Sequence, residues 1–215
     1  MARFLITGVN RGIGAALKAV AESLGHEVIG TTRDGRDGTI TLELSDPAEV
    51  AAQLTDLPPI DVLINNAGII GPSPEKQSPL SMDWAGMAET FAINSISPLA
   101  VAQAALPALR QSDRPRILTI SSQMASFARP KSSQIAYRAS KAAVNKVMQG
   151  LAVELKPEGI PVAVINPGWV RTDMGGPEAE EDATEVARGI LSISDRLTLE
   201  NTGKFFRFTG EEFAY

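Results

Sequence analysis

The chain has no cysteine and one histidine among its 215 residues. Without cysteine there can be no disulfide, no thiolate nucleophile and no cysteine-ligated zinc. The lone His26 stands in "LGHEVIG", between a helix end marked by Gly25 and the strand that follows, a place that suits an exposed turn residue. A Ser-His-Asp triad or a histidine-ligated metal would have to use it, so both are poor candidates. Positive charge is also short: 20 Lys and Arg face 25 Asp and Glu, a formal net charge of -5. Such a chain lacks the basic surface that nucleic acid or an anionic membrane would need. No unbroken apolar run approaches the ~20 residues that span a bilayer. The start, "MARFLITG", has too few large apolar residues for a signal-peptide core. The expectation is a cytoplasmic protein acting on a small molecule, with any acid–base chemistry falling to Tyr, Lys, Asp or Glu.

What is present is an ordinary globular composition, 44% hydrophobic and 21% charged, arranged as an alternation. Strands are expected at residues 3–7, 27–32, 39–44, 61–68, 116–122, 161–168 and 204–208. Helical patterns fill 12–24, a stretch opened by Asp46 as N-cap and Pro47 at the first helical position, about 81–109, 134–155 and 184–193. The least regular segments are 69–79 and 175–182. The strands are apolar without alternation, which marks burial on both faces and a parallel sheet. The reading is a single doubly wound, Rossmann-type α/β domain over residues 1–215. It has a seven-stranded parallel sheet with helices on both faces.

The loop "TGVNRGIG" joins the first strand to the first helix, with glycines at 8, 12 and 14. Glycine permits a tight turn and lets backbone N–H groups approach a pyrophosphate at a helix N-terminus. The strand–loop–helix setting therefore points to a dinucleotide. At the end of the second strand an acid selects the free ribose 2′-hydroxyl, whereas arginine accommodates a 2′-phosphate. The sequence there is "GTTRDG": Arg33 is near the deciding position, Asp34 follows it, and the glycine loop adds Arg11. Two guanidiniums clasping a phosphate favour NADP(H) over NAD; as exposed surface charges they would carry no such meaning.

In "AYRASKAAVNKV" Tyr137 and Lys141 are four residues apart, so a helix places them on one face. Spacing alone is compatible with a packed ring beside a solvated lysine and with an acid–base pair.

The motifs together, "TGVNRGIG" (7–14), "NNAG" (65–68), Asn94 in "FAINSISPL", "ISS" (120–122), "YRASK" (137–141) and "NPGWVRTDM" (166–174), resemble the short-chain dehydrogenase/reductase family nearly end to end. The tail resembles its C-factor-like branch of small carbonyl reductases. The resemblance implies a catalytic set of Asn94, Ser122, Tyr137 and Lys141. It implies cofactor contacts from Gly8, Asn10, Arg11, Gly12, Ile13, Gly14, Arg33, Asn66, Ala67, Gly68, Tyr137, Lys141, Pro167, Gly168, Val170 and Thr172. In that scheme Lys141 lowers the phenol's pKa and binds the nicotinamide ribose, Tyr137 relays the proton, Ser122 holds the substrate oxygen and Asn94 orients a water. No metal is implied.

Departures from the family pattern are Glu43, where Asp is common, and a longer interval from Ser122 to Tyr137. A small insertion around "RPKSS" would explain that interval and makes Ser121 a rival to Ser122. Met124, Phe127, Trp169 and Met174 either line an apolar substrate pocket or pack around the cofactor. The long helices are, by resemblance, surfaces for a homodimer or homotetramer. The expected function is hydride transfer between NADP(H) and a carbonyl or alcohol; the alternative is an NADP(H)-binding sensor or signalling protein with little turnover.

Overall fold

The computed structural model describes residues 1–128 and 130–215; Arg129, which opens the "RPKSS" segment, lies outside the described residues. In chain order the elements are β1 (Arg3–Thr7), α1 (Gly12–Ser23), β2 (Glu27–Thr32), β3 (Ile40–Thr41), α2 (Val50–Gln53) and β4 (Val62–Asn65). A short hairpin follows, β5 (Gln77–Ser78) and β6 (Ser81–Met82), then α3 (Trp84–Phe91) and α4 (Ser97–Leu109). The chain continues with β7 (Arg116–Ile120), α5 (Ile135–Leu155), β8 (Val162–Asn166), α6 (Ala183–Arg196) and β9 (Phe205–Arg207).

Seven strands form one sheet in the order β3-β2-β1-β4-β7-β8-β9, and every pairing is parallel. Successive side chains on each strand enter opposite cores, which is why the strands show no polar alternation. Phe4, Ile6 and Ile64 meet Leu17 of α1 and Ile190 of α6 on one face. Leu5, Leu63 and Ile117 meet Val101 of α4 and Met148 of α5 on the other. The strand order reverses between β1 and β4, and an open α/β sheet leaves its crevice at the carboxyl ends of such a switch point. Outside β9 the chain folds back, with Phe213 N–H donating to Phe205 O at 2.7 Å and Arg207 N–H to Glu211 O at 2.8 Å, so the sheet edge is covered.

The sequence reading placed β1 and β2 to the residue, and the differences lie elsewhere. The run 39–44 pairs only at Ile40–Thr41, although Leu42 and Leu44 still reach the core. The Asp46–Pro47 start is real, with Asp46 Oδ1 accepting from Ala48 N–H at 3.1 Å, but it leads through a 3₁₀ turn into the four residues of α2. The expected helix over 81–109 is two helices joined by a π turn, Ala92–Ile96, in which Ser97 N–H donates to Ala92 O. Pro98 has no N–H to offer the Asn94 carbonyl, so regular α bonding cannot run through this point. By length and mean hydropathy (1.3) Trp84–Leu109 matches a membrane span, yet half of that window is buried, and α4 packs on the sheet through Val101, Ala102 and Ala105.

Candidate active site

A cavity of about 970 Å³ opens at the carboxyl ends of β1, β2, β4, β7 and β8. That is at the upper end of the roughly 300–1,000 Å³ of ligand pockets. Every predicted site residue except Asn94 lines it. Short polar residues at the strand ends tie the loops together. Thr7 Oγ1 accepts from Asn66 N–H and Ala67 N–H, both at 3.0 Å. Asn66 Nδ2 donates to Thr7 O at 2.9 Å and Gly8 O at 3.1 Å, fixing the glycine loop against β4.

The glycine loop fits a pyrophosphate. A Cβ on Gly14 would stand 2.0 Å from Gly8 O and 2.5 Å from Asn66 Nδ2, so no other residue allows this close turn. Gly12, Ile13 and Gly14 form the first turn of α1, whose N–H groups have no intrahelical partners, and Arg11 at the N-cap supplies no side-chain cap. Those free donors and the helix dipole favour an anion.

The Tyr137 end is buried. Tyr137 and Lys141 lie one turn apart on α5, 8% and 4% exposed. Lys141 Nζ donates to Ile120 O at 2.9 Å and stands 5.8 Å from the centroid of the Tyr137 ring. Burial lowers Lys141 from 10.5 to about 8. Burial also raises Tyr137, against a smaller lowering by a hydrogen bond with Ser122. Desolvation, which disfavours phenolate and ammonium alike, governs both groups, and the one lowering of the phenol comes from Ser122 rather than from Lys141 as expected. Ser122 ends the β7 loop with its Oγ accepting from Met124 N–H at 3.1 Å. The rival Ser121 is turned to the helix backbone, Oγ donating to Lys141 O at 3.3 Å.

Asn94 lies behind the wall, 1% exposed, in the π turn. Its side chain exchanges hydrogen bonds with the Ile69 backbone, accepting at 2.9 Å and donating at 2.8 Å, and donates to Ser140 Oγ at 3.1 Å. It remains close to Lys141: a Cβ on Gly68 would be 3.1 Å from Asn94 Oδ1 and 3.4 Å from Lys141 Nζ.

The end of the cavity beside β2 is exposed and charged. Arg33 lines the cavity and makes no hydrogen bond or ion pair among the described residues. Arg11 does not join it; its guanidinium pairs with Asp173 at 3.2 Å across the mouth. The second guanidinium here is that of Arg36, which the sequence reading missed, bound to Asp34. Hydrogen bonds from Arg36, then Thr32, hold the Asp34 carboxyl well below the usual carboxylate range. Glu43 also lines the cavity, but its Oε1 accepts from Leu44 N–H at 2.8 Å and Ser45 N–H at 2.9 Å.

At the remaining end Met124, Trp169 and Met174 line the cavity, while Phe127 lies outside it, 86% exposed. Trp169 is held by its indole N–H on Gly175 O at 2.8 Å. Gln134 is a second residue missed from the sequence. It precedes α5 in the left-handed region (φ 53, ψ 42) and lines the cavity three residues before Tyr137. No propensity rule singles out a left-handed glutamine; the repeated "RDG" turn signal, by contrast, could have led to Arg36.

Residues 2–183 match the family model described as short chain dehydrogenase. The chain is 43% identical over 155 residues to the C-signal of Myxococcus xanthus, covering 72% of this chain and 92% of that protein. Among solved structures it is similar to the carbonyl reductase Sniffer of D. melanogaster, with a TM-score of 0.91 and 26% identity over the whole of both chains. It is also similar to the NADPH-bound carbonyl reductase from chicken fatty liver, with a TM-score of 0.88 and 26% identity over 100% of this chain and 99% of that one.

Proposed function

The chain belongs to the short-chain dehydrogenase family, and on that premise we propose that it is an NADP(H)-dependent carbonyl reductase, working in reverse as an alcohol dehydrogenase. The observation that carries this reading is the joining, in one cavity, of a buried Ser122–Tyr137–Lys141 group with a glycine loop and an unpaired Arg33. The nicotinamide supplies the hydride chemistry. Gly8 to Gly14 hold the pyrophosphate, Arg33 the 2′-phosphate, Asn66 to Gly68 the adjoining sugar region, and Pro167, Gly168, Val170 and Thr172 the nicotinamide end.

The chain's own residues handle the proton. A phenol raised by burial stays protonated at neutral pH, the form that can donate to a carbonyl oxygen. Ser122 holds that oxygen by a hydrogen bond that strengthens as negative charge develops on it. Lys141 keeps its donors on Ile120 O and the ribose side, and Asn94 braces the Gly68–Ile69 loop beside it. Met124, Trp169 and Met174 give the substrate mouth an apolar lining, which suits a carbonyl compound with an apolar arm. The long α4 and α5 are the proposed homo-oligomer surfaces.

The test is loss of NADPH absorbance with a panel of ketones and aldehydes, alongside direct NADPH titration. Turnover of any panel member supports the reductase. Tight NADPH binding without oxidation across the panel would favour the second reading, a signalling protein that binds the nucleotide; the likeness to a protein named C-signal supports keeping it.

A further inference from the structure

The turn after β2 carries both signs of charge, and its hydrogen bonds decide which of them a nucleotide meets. Asp34 stands where an acid would select a free ribose diol. Its carboxylate is already occupied: Arg36 Nε donates to Oδ2 at 2.8 Å and to Oδ1 at 3.0 Å, a second guanidinium nitrogen also donates to Oδ2, and Thr32 Oγ1 donates to Oδ1 at 3.1 Å. The turn is fastened so that this pairing is local. Thr39 N–H donates to Arg36 O at 3.0 Å, and the Thr39 hydroxyl lies 2.6 Å from that oxygen and 2.7 Å from the Thr32 hydroxyl, to either of which it can donate. Gly35 adopts φ +66, and a Cβ there would lie 2.4 Å from Thr41 Oγ1, so this tight reversal requires glycine. Arg33, Asp34 and Arg36 all line the cavity, and Arg33 alone of the three has no ion-pair partner among the described residues.

We infer that Arg36 is a specificity-determining positioning residue: by clasping Asp34 it removes the acid that would select a 2′-hydroxyl and repel a phosphate, leaving Arg33, whose charge feels Glu43 at longer range but forms no ion pair among the described residues, as the cation for a phosphate monoester. This rests on the NADP(H) reading above. Arg36 acts through Asp34 and need not touch the nucleotide. A bare carboxylate beside the 2′-phosphate would oppose binding by Coulomb repulsion; an ion pair does so far less.

The experiment is calorimetric titration with adenosine 2′,5′-bisphosphate and with 5′-ADP, which differ in the 2′-phosphate and require no turnover. Wild type, Arg36→Ala, Asp34→Asn and the double variant are compared, with thermal melts to confirm folding. Wild type should prefer the 2′-phosphate ligand. Arg36→Ala should lose about tenfold for it, with 5′-ADP little changed. Asp34→Asn in the Arg36→Ala background should restore most of that loss, because the carboxylate Arg36 masked is gone. A double variant as weak as Arg36→Ala would overturn the inference, since Arg36 would then be a direct phosphate ligand. An unchanged Arg36→Ala would overturn it as well. Wild type that prefers 5′-ADP would instead defeat the NADP(H) reading itself, and the inference with it.

Discussion

The two ends of the cavity are built on opposite electrostatic terms. At the Tyr137 end the polar groups are buried among apolar residues, and burial governs their protonation: Lys141 falls to about 8 and Tyr137 rises. At the end beside β2 Arg33, Asp34 and Arg36 are exposed, and pairing between neighbours governs which charge is free. Desolvation acts on chemistry, because it sets which form of a group exists at a given pH. Surface pairing acts on recognition, is screened by salt and can be altered with little effect on the fold. Substitutions at the first end should therefore change rate, and stability as well where a buried charge is altered, and substitutions at the second should change nucleotide choice alone.

The largest effect is expected at Tyr137. Tyr137→Phe removes only the hydroxyl, so NADPH binding and the melting temperature should hold while turnover falls by about 10²–10⁴-fold, the usual worth of a positioned acid. A kcat near that of wild type would show that the buried end does not supply the proton.

Lys141→Met is next, and pH separates its consequences. The lysine's native value, about 8 against the ordinary 10.5, means that the unfolded chain binds more protons between these values. Wild-type stability relative to the variant should accordingly be highest above about pH 10.5 and fall as pH drops toward 8, by about 3 kcal/mol in all. The raised Tyr137 works in the opposite sense but only above pH 10, where an unfolded tyrosine ionises and the buried one does not. Melts of both proteins from pH 7 to 10.5 check this; parallel curves would mean that burial does not set the lysine's charge. Alcohol oxidation needs phenolate, and Lys141→Met removes the ammonium that in wild type favours it, so the variant's oxidation rate should move to higher pH; an unmoved profile would show that burial alone sets the phenol.

At the exposed end Arg33→Ala should weaken NADPH binding by about 1.5–3 kcal/mol, the worth of a charge-assisted contact, with NADH binding and the melt unchanged. Titrations at low and high salt should show the gap narrowing as salt screens it. Equal losses for both nucleotides would remove the 2′-phosphate from the account. The smallest change should follow Asp173→Ala, which frees Arg11 from an exposed ion pair. Nucleotide affinity should then move by less than about fivefold. A larger gain would show that Asp173 holds a phosphate ligand away from its site.

The motif residues were legible because each is a local demand of backbone or strand end. Gly14 is required by an oxygen 2.0 Å from its would-be Cβ, and the Tyr137–Lys141 spacing is one turn of α5. The long helix was misread because Ala92–Ile96 keeps a helical composition while its bonding slips by one residue. Only Pro98 hinted at that, and α4 resumes directly after the slip. The run 39–44 was overextended because Leu42 and Leu44 are buried like strand residues without being paired.

The sequence by itself determined the parallel sheet and the site of its crevice, since apolar runs and glycine loops follow from burial and backbone sterics, which neighbours along the chain impose. Tertiary structure alone decided which charges are free: Arg11 crosses the mouth to Asp173, 162 residues away, and the fastening of the turn by Thr32 and Thr39 lays Arg36 on Asp34. It alone decided, too, that Tyr137 is harder to ionise than a free phenol. A long charged side chain has many rotamers of similar energy, and a buried group's pKa depends on everything packed around it, so neither can be read from spacing.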